Sequence, residues 1–253
     1  MNSRLLQQAI TWLRGASSIV VLTGAGVSKE SGVPTFRDAQ SGLWAKYDPQ
    51  TLASPEGFRA DPGLVWRWYA GRRTQLDGVA PNPAHRALAR LGELKPVTLI
   101  TQNVDGLHQQ AGSQNVLELH GSLQKYKCLD RRHPVEVEEA TALEEPPSCP
   151  RCGSPVRPDV VWFGEMLPAT VLDEATEAAL TCDLMLVVGT SGIVQPAASL
   201  PLYAAEQGAH TIEVNPETTP LTPYLDLHLR GAAGTIVPRL VAGVEAQQEE
   251  SKD

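Results

Sequence analysis

Residues 19–28 read IVVLTGAGVS, in which four consecutive apolar residues lead into a turn with two glycines. A short apolar run bounded by glycine is typical of a strand that is buried on both faces of a parallel sheet. Gly24 and Gly26 would allow the backbone after this strand to approach a phosphate closely. Compared with the dinucleotide-binding fingerprint, the third glycine comes late, at Gly32, so a turn that serves only packing is the alternative interpretation.

Three further apolar runs also end in small or polar residues. They cover residues 97–100, 183–188 and 211–214, and they lead to Thr101-Gln102-Asn103, Gly189-Thr190-Ser191 and Asn215. Patterns with helical spacing separate the runs, at residues 3–14, 84–93, 170–180 and 196–207. Strands that alternate with helices predict a doubly wound α/β fold with a parallel sheet. The strands of such a sheet share one carboxyl edge, where ligands bind, so we expect the polar clusters to meet there.

Two stretches interrupt the alternation of strands and helices. Residues 36–82 are rich in Trp, Tyr, Arg and Pro and predict a helical insertion. Residues 121–165 contain three of the four cysteines and predict a small separate module. The remaining segments, residues 1–35, 83–120 and 166–245, would form a discontinuous Rossmann-like domain. Residues 246–253 are polar and predict a frayed tail.

The composition indicates an ordinary globular protein of 253 residues with a net charge of −8. This acidic balance argues against a broad surface for nucleic acid. No apolar run reaches the roughly 18 residues that a membrane helix needs. The N-terminal residues have helical spacing and do not form a signal-peptide pattern. We therefore expect a cytoplasmic protein that binds neither nucleic acid nor membrane.

The spacing of the cysteines predicts half of a zinc site. Cys149 and Cys152 form a Cys-x-x-Cys pair, and Cys128 lies about 20 residues earlier, as a partner pair would. The second cysteine of that partner pair is missing, because position 131 is Arg131. His133 could supply the fourth ligand, which would give one structural zinc, or the site could be incomplete and metal-free. Cys182 precedes a buried strand and is interpreted as a core residue.

Three groups of residues are candidates for a site. Residues 102–105 offer amide and carboxylate groups together, which suits recognition of a carboxamide, although Asn103 and Asp105 could equally cap a helix. His120 becomes a candidate general base if it shares the edge with the other clusters; alone it could be structural. Tyr69 and Arg72 lie three residues apart, so they share a helix face and could hold a carboxylate. Aromatic packing beside a solvated arginine is the alternative for that pair.

Six segments resemble the motifs of the sirtuins, which are NAD-dependent protein-lysine deacylases. The resemblance extends from about residue 5 to residue 242, and the motifs follow the family's order and spacing. The matching segments are residues 24–28 (GAGVS), 32–37 (GVPTFR), 101–105 (TQNVD), 120–121 (HG), 160–165 (VVWFGE) and 189–191 (GTS).

The resemblance implies an NAD site along the strand edge. Its phosphates would lie near Gly24, Ala25 and Ser191, its carboxamide near Asn103 and Asp105, and its adenosine near Asn215, Glu217 and Ala233. A loop within residues 36–82 would close over the cofactor. The complete set implied for NAD is Gly24, Ala25, Gly26, Ser28, Thr35, Phe36, Arg37, Trp44, Gln102, Asn103, Asp105, Gly189, Thr190, Ser191, Asn215, Glu217 and Ala233.

The resemblance also implies the reaction and its catalytic residues. His120 would act as general base on a ribose hydroxyl, with Asn103 as the second catalytic residue. The products would be free lysine, nicotinamide and O-acyl-ADP-ribose. Val161, Trp162 and Phe163 would pair with the substrate backbone as an added strand. Acyl-lysine-bearing proteins are the implied partners of an enzyme that we expect to be a monomer.

The pair Tyr69-x-x-Arg72 resembles the branch of the family that removes succinyl and malonyl groups. We therefore expect desuccinylation and demalonylation to exceed deacetylation. The family's structural zinc has four cysteine ligands, so Arg131 sets this chain apart, with Cys128, Cys149, Cys152 and His133 as its proposed ligands. A protein ADP-ribosyltransferase, a non-enzymatic sensor of NAD or ADP-ribose, and an NAD-dependent dehydrogenase are the alternative functions.

Overall fold

Strands and helices alternate along most of the chain in the computed structural model, which describes residues 3–33 and 48–250. The strands are β1 (Ile19–Thr23), β2 (Val97–Thr101), β3 (Val116–Glu118), β4 (Gly121–Cys128), β5 (Val156–Val160), β6 (Leu184–Val188), β7 (His210–Asn215) and β8 (Leu227–Arg230). The α-helices are α1 (Ser3–Gly15), α2 (Pro49–Leu52), α3 (Pro55–Ala60), α4 (Pro62–Thr74), α5 (Pro83–Leu94), α6 (Leu107–Gln110), α7 (Ala169–Thr181), α8 (Leu200–Glu206) and α9 (Ala233–Glu250).

Six strands form one parallel sheet in the order β3-β2-β1-β6-β7-β8. The chain builds outward from β1 to β2 and β3, and then returns to place β6, β7 and β8 on the other side of β1. The strand order therefore reverses between β1 and β6, and ligands bind at such a reversal in open α/β sheets. The predicted doubly wound sheet is confirmed, although β3 was only a minor run in the sequence and β8 was not predicted.

The central strands are apolar on both faces because helices cover both sides of the sheet. Ile19 and Val21 of β1 pack in one cluster with α1, α5 and α9. Val20 and Leu22 point to the other side and pack with α7 and α8. Successive side chains of a strand point to opposite faces, so a strand covered twice needs a continuous apolar run. Cys182 joins the second cluster, in agreement with its interpretation as a core residue.

The two interruptions of the sheet lie together beside its carboxyl edge. The helical insertion contains α2, α3 and α4, and α4 begins where the Asp61 carboxylate accepts a hydrogen bond of 2.9 Å from the Leu64 backbone N–H. The small module contains the antiparallel pair β4 and β5. Trp66 of α4 is buried against Cys128 and Cys149 of the module. The two pieces thus share a small hydrophobic core of their own.

The last helix extends into the segment that was expected to be a polar tail. Helix α9 continues to Glu250, so residues 246–250 are helical, and residues 251–253 lie outside the described part. Glu245 accepts a hydrogen bond of 2.9 Å from Arg90 of α5, which ties the end of α9 to its neighbour. Ala, Gln and Glu are good helix formers, which is consistent with a helix that continues into this polar segment. Within the described residues, none of the helices is long and apolar enough to cross a membrane.

Candidate active site

Hydrogen bonds connect the polar clusters that follow β1, β2, β6 and β7. The Gly26 backbone N–H donates to the Gly189 carbonyl oxygen at 2.8 Å. The Gln102 side-chain amide donates to the Thr190 hydroxyl at 2.9 Å, and the Asn215 amide donates to the Thr190 carbonyl oxygen at 2.8 Å. The four clusters predicted to meet at one edge are therefore in direct contact.

The glycines of the first turn have a packing reason. A Cβ atom at Gly24 would lie 2.8 Å from the Thr190 Cα, and one at Gly26 would lie 2.6 Å from the Gly189 carbonyl oxygen. Gly189 itself has a φ of +61°, which favours glycine. The glycines therefore have a packing role, which is compatible with the predicted approach of a phosphate.

A cavity of about 440 Å³ opens at the carboxyl edge, between the sheet and the two added pieces. Eleven of the residues predicted for the site line it. From the sheet side these are Ala25, Ser28, Gln102, Asn103, Asp105 and His120, and from the insertion and module they are Tyr69, Arg72, Val161, Trp162 and Phe163.

The other residues predicted for NAD lie outside this cavity or outside the described part. Gly24, Gly26, Gly189, Thr190 and Ser191 follow the ends of β1 and β6, and Asn215 is the last residue of β7. Glu217 is exposed beside Asn215, and Ala233 begins α9. Thr35, Phe36, Arg37 and Trp44 fall among residues 34–47, which the structure does not describe.

His120 is held with one ring nitrogen facing the protein. Its Nδ1 lies 3.0 Å from the Gln102 carbonyl oxygen. A carbonyl oxygen only accepts hydrogen bonds, so Nδ1 carries the proton and Nε2 keeps a free lone pair. Burial lowers the pKa of His120, and the hydrogen bond to Gln102 offsets this in part. The ring is therefore neutral at neutral pH and able to accept a proton.

Gly121 places this histidine at the boundary between the two parts of the fold. Its φ is +76°, a conformation that glycine adopts without strain. A Cβ atom there would also collide with the Asp159 carbonyl oxygen of β5. The chain can therefore turn sharply from β3 into β4 directly after His120, which leaves the imidazole at the cavity.

Ser28 joins the first turn to the Asn103–Asp105 cluster. Its hydroxyl donates to the Asp105 carboxylate at 2.7 Å and accepts from the Asn103 amide at 3.0 Å. Asp105 also accepts from the Leu107 backbone N–H at 3.0 Å, so it caps the following turn as well as lining the cavity. Helix capping and a position at the cavity, which were alternatives in the sequence, are therefore compatible for Asp105.

Two buried histidines behind this cluster were missed by the sequence reasoning. His85 Nε2 lies 3.3 Å from the Ser28 hydroxyl oxygen, and the His85 ring lies 4.8 Å from that of His108. His108 Nε2 is 2.9 Å from the Thr23 hydroxyl oxygen, and burial, with a smaller effect of His85, lowers the pKa of His108 to about 3. His85 is thus a neutral support for Ser28, and the His108 ring packs behind it. Asn82-Pro83 before His85 is a helix-start pattern that could have drawn attention to it.

Tyr69 and Arg72 lie on one face of α4 and both line the cavity. Burial raises the pKa of Tyr69 to about 12, so its phenol is protonated. The Arg72 guanidinium carbon lies 5.3 Å from the centre of the Trp68 ring. Arg72 is half-buried, and its contact with Trp68 agrees with the aromatic packing that was the alternative interpretation.

The segment predicted to pair with substrate already uses its own N–H groups. The backbone N–H of Val161 donates to the His120 carbonyl at 2.9 Å, and that of Phe163 to the Ala53 carbonyl at 2.8 Å. The backbone N–H of Trp162 donates to the Glu165 carboxylate at 2.9 Å. An added strand would therefore have to pair with carbonyl groups of residues 161–163. The Trp162 side chain is buried, whereas that of Phe163 is exposed at the rim.

Three cysteines and a histidine meet in the small module. The ligand atoms of Cys128, His133, Cys149 and Cys152 all lie within 4.8 Å of one another. The sulfurs of Cys128 and Cys152 are 3.6 Å apart, and Cys149 Sγ is 3.8 Å from His133 Nδ1. A tetrahedral zinc ion with Zn–S bonds of about 2.3 Å gives ligand separations of about 3.6–3.8 Å. The four residues thus fit a structural zinc, and Arg131 is exposed.

Comparisons with known proteins agree with this geometry. The profile described as "Sir2 family" matches residues 24–196. The chain is 51% identical to "NAD-dependent protein deacylase 1" of Pseudomonas aeruginosa over 93% of this chain and 98% of the relative. It also resembles the solved structure of a Sir2 homologue–NAD complex, with 48% identity, a TM-score of 0.90, and coverage of 95% and 94% of the two chains.

A second solved structure carries an acylated peptide. It is a Sir2 protein bound to a myristoylated histone peptide, 39% identical to this chain, with a TM-score of 0.78 and coverage of 98% and 99% of the two chains. The profile match covers more than half of the chain, and the curated relative is 51% identical over 93% of it. The chain therefore belongs to the Sir2 family.

Proposed function

We propose that this chain is an NAD-dependent protein-lysine deacylase that removes succinyl and malonyl groups in preference to acetyl. The observation that carries the proposal is the shared cavity of His120, Tyr69 and Arg72. It combines a neutral base with a phenol and a guanidinium, which are the groups that recognise a carboxylate. Proteins that carry acyl-lysine are the proposed partners, as the curated deacylase relative suggests.

The strand edge suits NAD because it offers amides, hydroxyls and closely packed backbone. Asn103 and Asp105 would hold the carboxamide, with Ser28 fixing both of them by hydrogen bonds. The turn at Gly24–Gly26 and the end of β6 would face the phosphates, and Asn215 would face the adenosine ribose. When bound, NAD supplies an electrophilic ribose carbon and nicotinamide as leaving group.

His120 would serve as the general base of the reaction. Its Nδ1 proton is engaged by the Gln102 carbonyl, so Nε2 is the atom that accepts a proton from a hydroxyl within hydrogen-bond reach. The same hydrogen bond holds the ring in this orientation. Free lysine, nicotinamide and O-acyl-ADP-ribose are the proposed products.

The acyl preference follows from the cost of burying a carboxylate. A charged group that leaves water without a partner is strongly destabilised, whereas a cation with a hydrogen-bond donor offsets the penalty. Arg72 provides the cation, and Tyr69, which remains protonated because burial raises its pKa to about 12, provides a donor. An acetyl group has no charge and would use neither.

The preference can be tested with one peptide sequence that carries acetyl-, malonyl-, succinyl- or glutaryl-lysine in turn. We expect higher kcat/KM for succinyl and malonyl than for acetyl, with O-acyl-ADP-ribose among the products detected by mass spectrometry. ADP-ribose attached to protein, without deacylation, would instead identify a transferase. Equal or better turnover of acetyl would contradict the acyl preference.

Metal content is a separate prediction for the small module. Purified protein is expected to contain one zinc per chain, because four ligand atoms already lie within 4.8 Å of one another. His133→Ala should reduce zinc retention and lower the Tm, since a structural zinc contributes directly to folding. Arg131→Ala is the matched control and should keep both. Elemental analysis and thermal unfolding measure the outcome; full zinc retention in His133→Ala would exclude His133 as a ligand.

A further inference from the structure

We propose that Trp162 is a specificity-determining residue, because its indole N–H occupies the Tyr69 oxygen and directs the Tyr69 proton toward the acyl group. The inference rests on the proposed preference for acidic acyl groups. It assigns to the side chain of Trp162 a part that differs from the backbone pairing expected for residues 161–163.

The direction of one hydrogen bond is fixed by chemistry. Trp162 Nε1 lies 2.8 Å from the Tyr69 hydroxyl oxygen. An indole N–H can only donate, so the Tyr69 oxygen must accept. The phenol proton cannot point back along the same line and needs an acceptor elsewhere. Within the described part of the chain, this is the one hydrogen bond that the structure shows for the Tyr69 hydroxyl.

The tryptophan that imposes this direction is itself held firmly. Its side chain is only 2% exposed, and the Arg157 guanidinium carbon lies 3.2 Å from the centre of its ring. Arg157 forms two hydrogen bonds with the Glu165 carboxylate, at 2.6 and 2.9 Å. Glu165 in turn accepts from the Trp162 backbone N–H. Rotation of the indole would therefore lose its contact with the Arg157 guanidinium and its hydrogen bond to Tyr69.

Tyr69 is also tightly packed, and it lines the cavity at the carboxyl edge. It is 2% exposed, and its ring meets that of Trp68 edge-on at 4.6 Å. Tyr69 and Arg72 both line the cavity, so a donor released from Tyr69 and the cation of Arg72 can meet the same ligand. Accepting a hydrogen bond also makes a hydroxyl a better donor, because bonds in a chain polarise one another. A carboxylate at the end of an acyl chain is the acceptor that suits this arrangement, whereas an acetyl methyl group offers none.

The first test compares acyl selectivity in single and double variants. Trp162→Phe is expected to lower the ratio of succinyl to acetyl kcat/KM about threefold to tenfold, the net worth of one hydrogen bond. Tyr69→Phe should lower the same ratio, and adding Trp162→Phe to it should have no further effect. Trp66→Phe is the matched control: this buried tryptophan donates to the Leu143 carbonyl, and its loss should leave the ratio unchanged.

The outcomes separate this inference from the proposed function. If Tyr69→Phe and Arg72→Met lower the ratio but Trp162→Phe does not, the role of Trp162 is overturned and the acyl preference stands. If none of the three changes the ratio, recognition of the carboxylate by this pair is overturned. If Trp162 had only a structural role, Trp162→Phe would reduce both activities equally and leave their ratio unchanged.

A measurement on the unaltered protein covers the possibility that Trp162→Phe does not fold. In NMR spectra, the indole N–H resonance of Trp162 can be assigned as the one whose chemical shift changes most in Tyr69→Phe. We expect it to shift more on addition of a succinyl-lysine peptide than of the acetyl-lysine peptide, both without NAD. Equal shifts with the two peptides would contradict the proposal.

Discussion

His120→Ala is expected to lower kcat for deacylation by about 10²–10⁴-fold, the usual contribution of a positioned general base. The structure gives the reason, since Nδ1 is bound to the Gln102 carbonyl and only Nε2 can take up a proton. Binding of NAD, measured by its effect on the Tm, should change little. His210→Ala is the matched control, because His210 stacks on Trp12 at the opposite end of the sheet and should be dispensable for turnover.

The pH dependence of the unaltered enzyme provides a second check on His120. Burial lowers the pKa of His120 below its ordinary value of 6.5, so the ring stays unprotonated as the pH falls through that value. The acid limb of kcat/KM should accordingly have its midpoint below pH 6.5. Turnover that persists in His120→Ala would show that another group is the base.

Arg72→Met is expected to lower kcat/KM for succinyl-lysine roughly 100-fold. The substrate carboxylate would enter the cavity without the cation that offsets its loss of water. Methionine keeps the length and apolar stem of the side chain, so the effect on acetyl-lysine should be much smaller. Arg67→Met is the matched control on the same helix. Arg67 does not line the cavity, and its half-buried side chain donates to the Glu144 carbonyl, so its loss should leave acyl selectivity unchanged.

The two substrates must be compared in the same preparation of Arg72→Met. Steady-state kcat/KM for succinyl- and acetyl-lysine peptides of identical sequence gives the ratio directly. Losses of equal size would mean that Arg72 supports the fold of α4 or the cofactor site and does not recognise the acyl group. In that case the proposed preference for acidic groups would have no support from this pair.

The sheet and its ligand edge could be predicted because both depend on local pattern. The run Ile19–Leu22 is apolar on both faces, and the polar residues after each run must share an edge once the strands are parallel. Strand β8 escaped notice because its burial alternates and it lies at the edge of the sheet, where a short half-exposed strand leaves a weak signal. Helix α9 was not predicted because Pro238 and two glycines interrupt its helical pattern.

Contacts between distant side chains could not be predicted from the sequence. The bond between Trp162 and Tyr69 joins residues 93 positions apart, and that between Ser28 and His85 joins residues 57 apart. No spacing rule connects such residues, because their meeting depends on how the insertion and the module dock beside the sheet. The metal cluster is an intermediate case: the sequence indicated three cysteines and His133, and folding brings the four together.

The central claim is that one cavity combines NAD-dependent deacylation with recognition of an acidic acyl group. Its most direct test is a competition in one reaction, with equal concentrations of acetyl- and succinyl-lysine peptides of the same sequence, NAD, and a small amount of enzyme, followed by mass spectrometry. The proposal predicts that the succinyl peptide is consumed first and that O-succinyl-ADP-ribose is the main early product. Earlier consumption of the acetyl peptide, or deacylation without NAD, would contradict it.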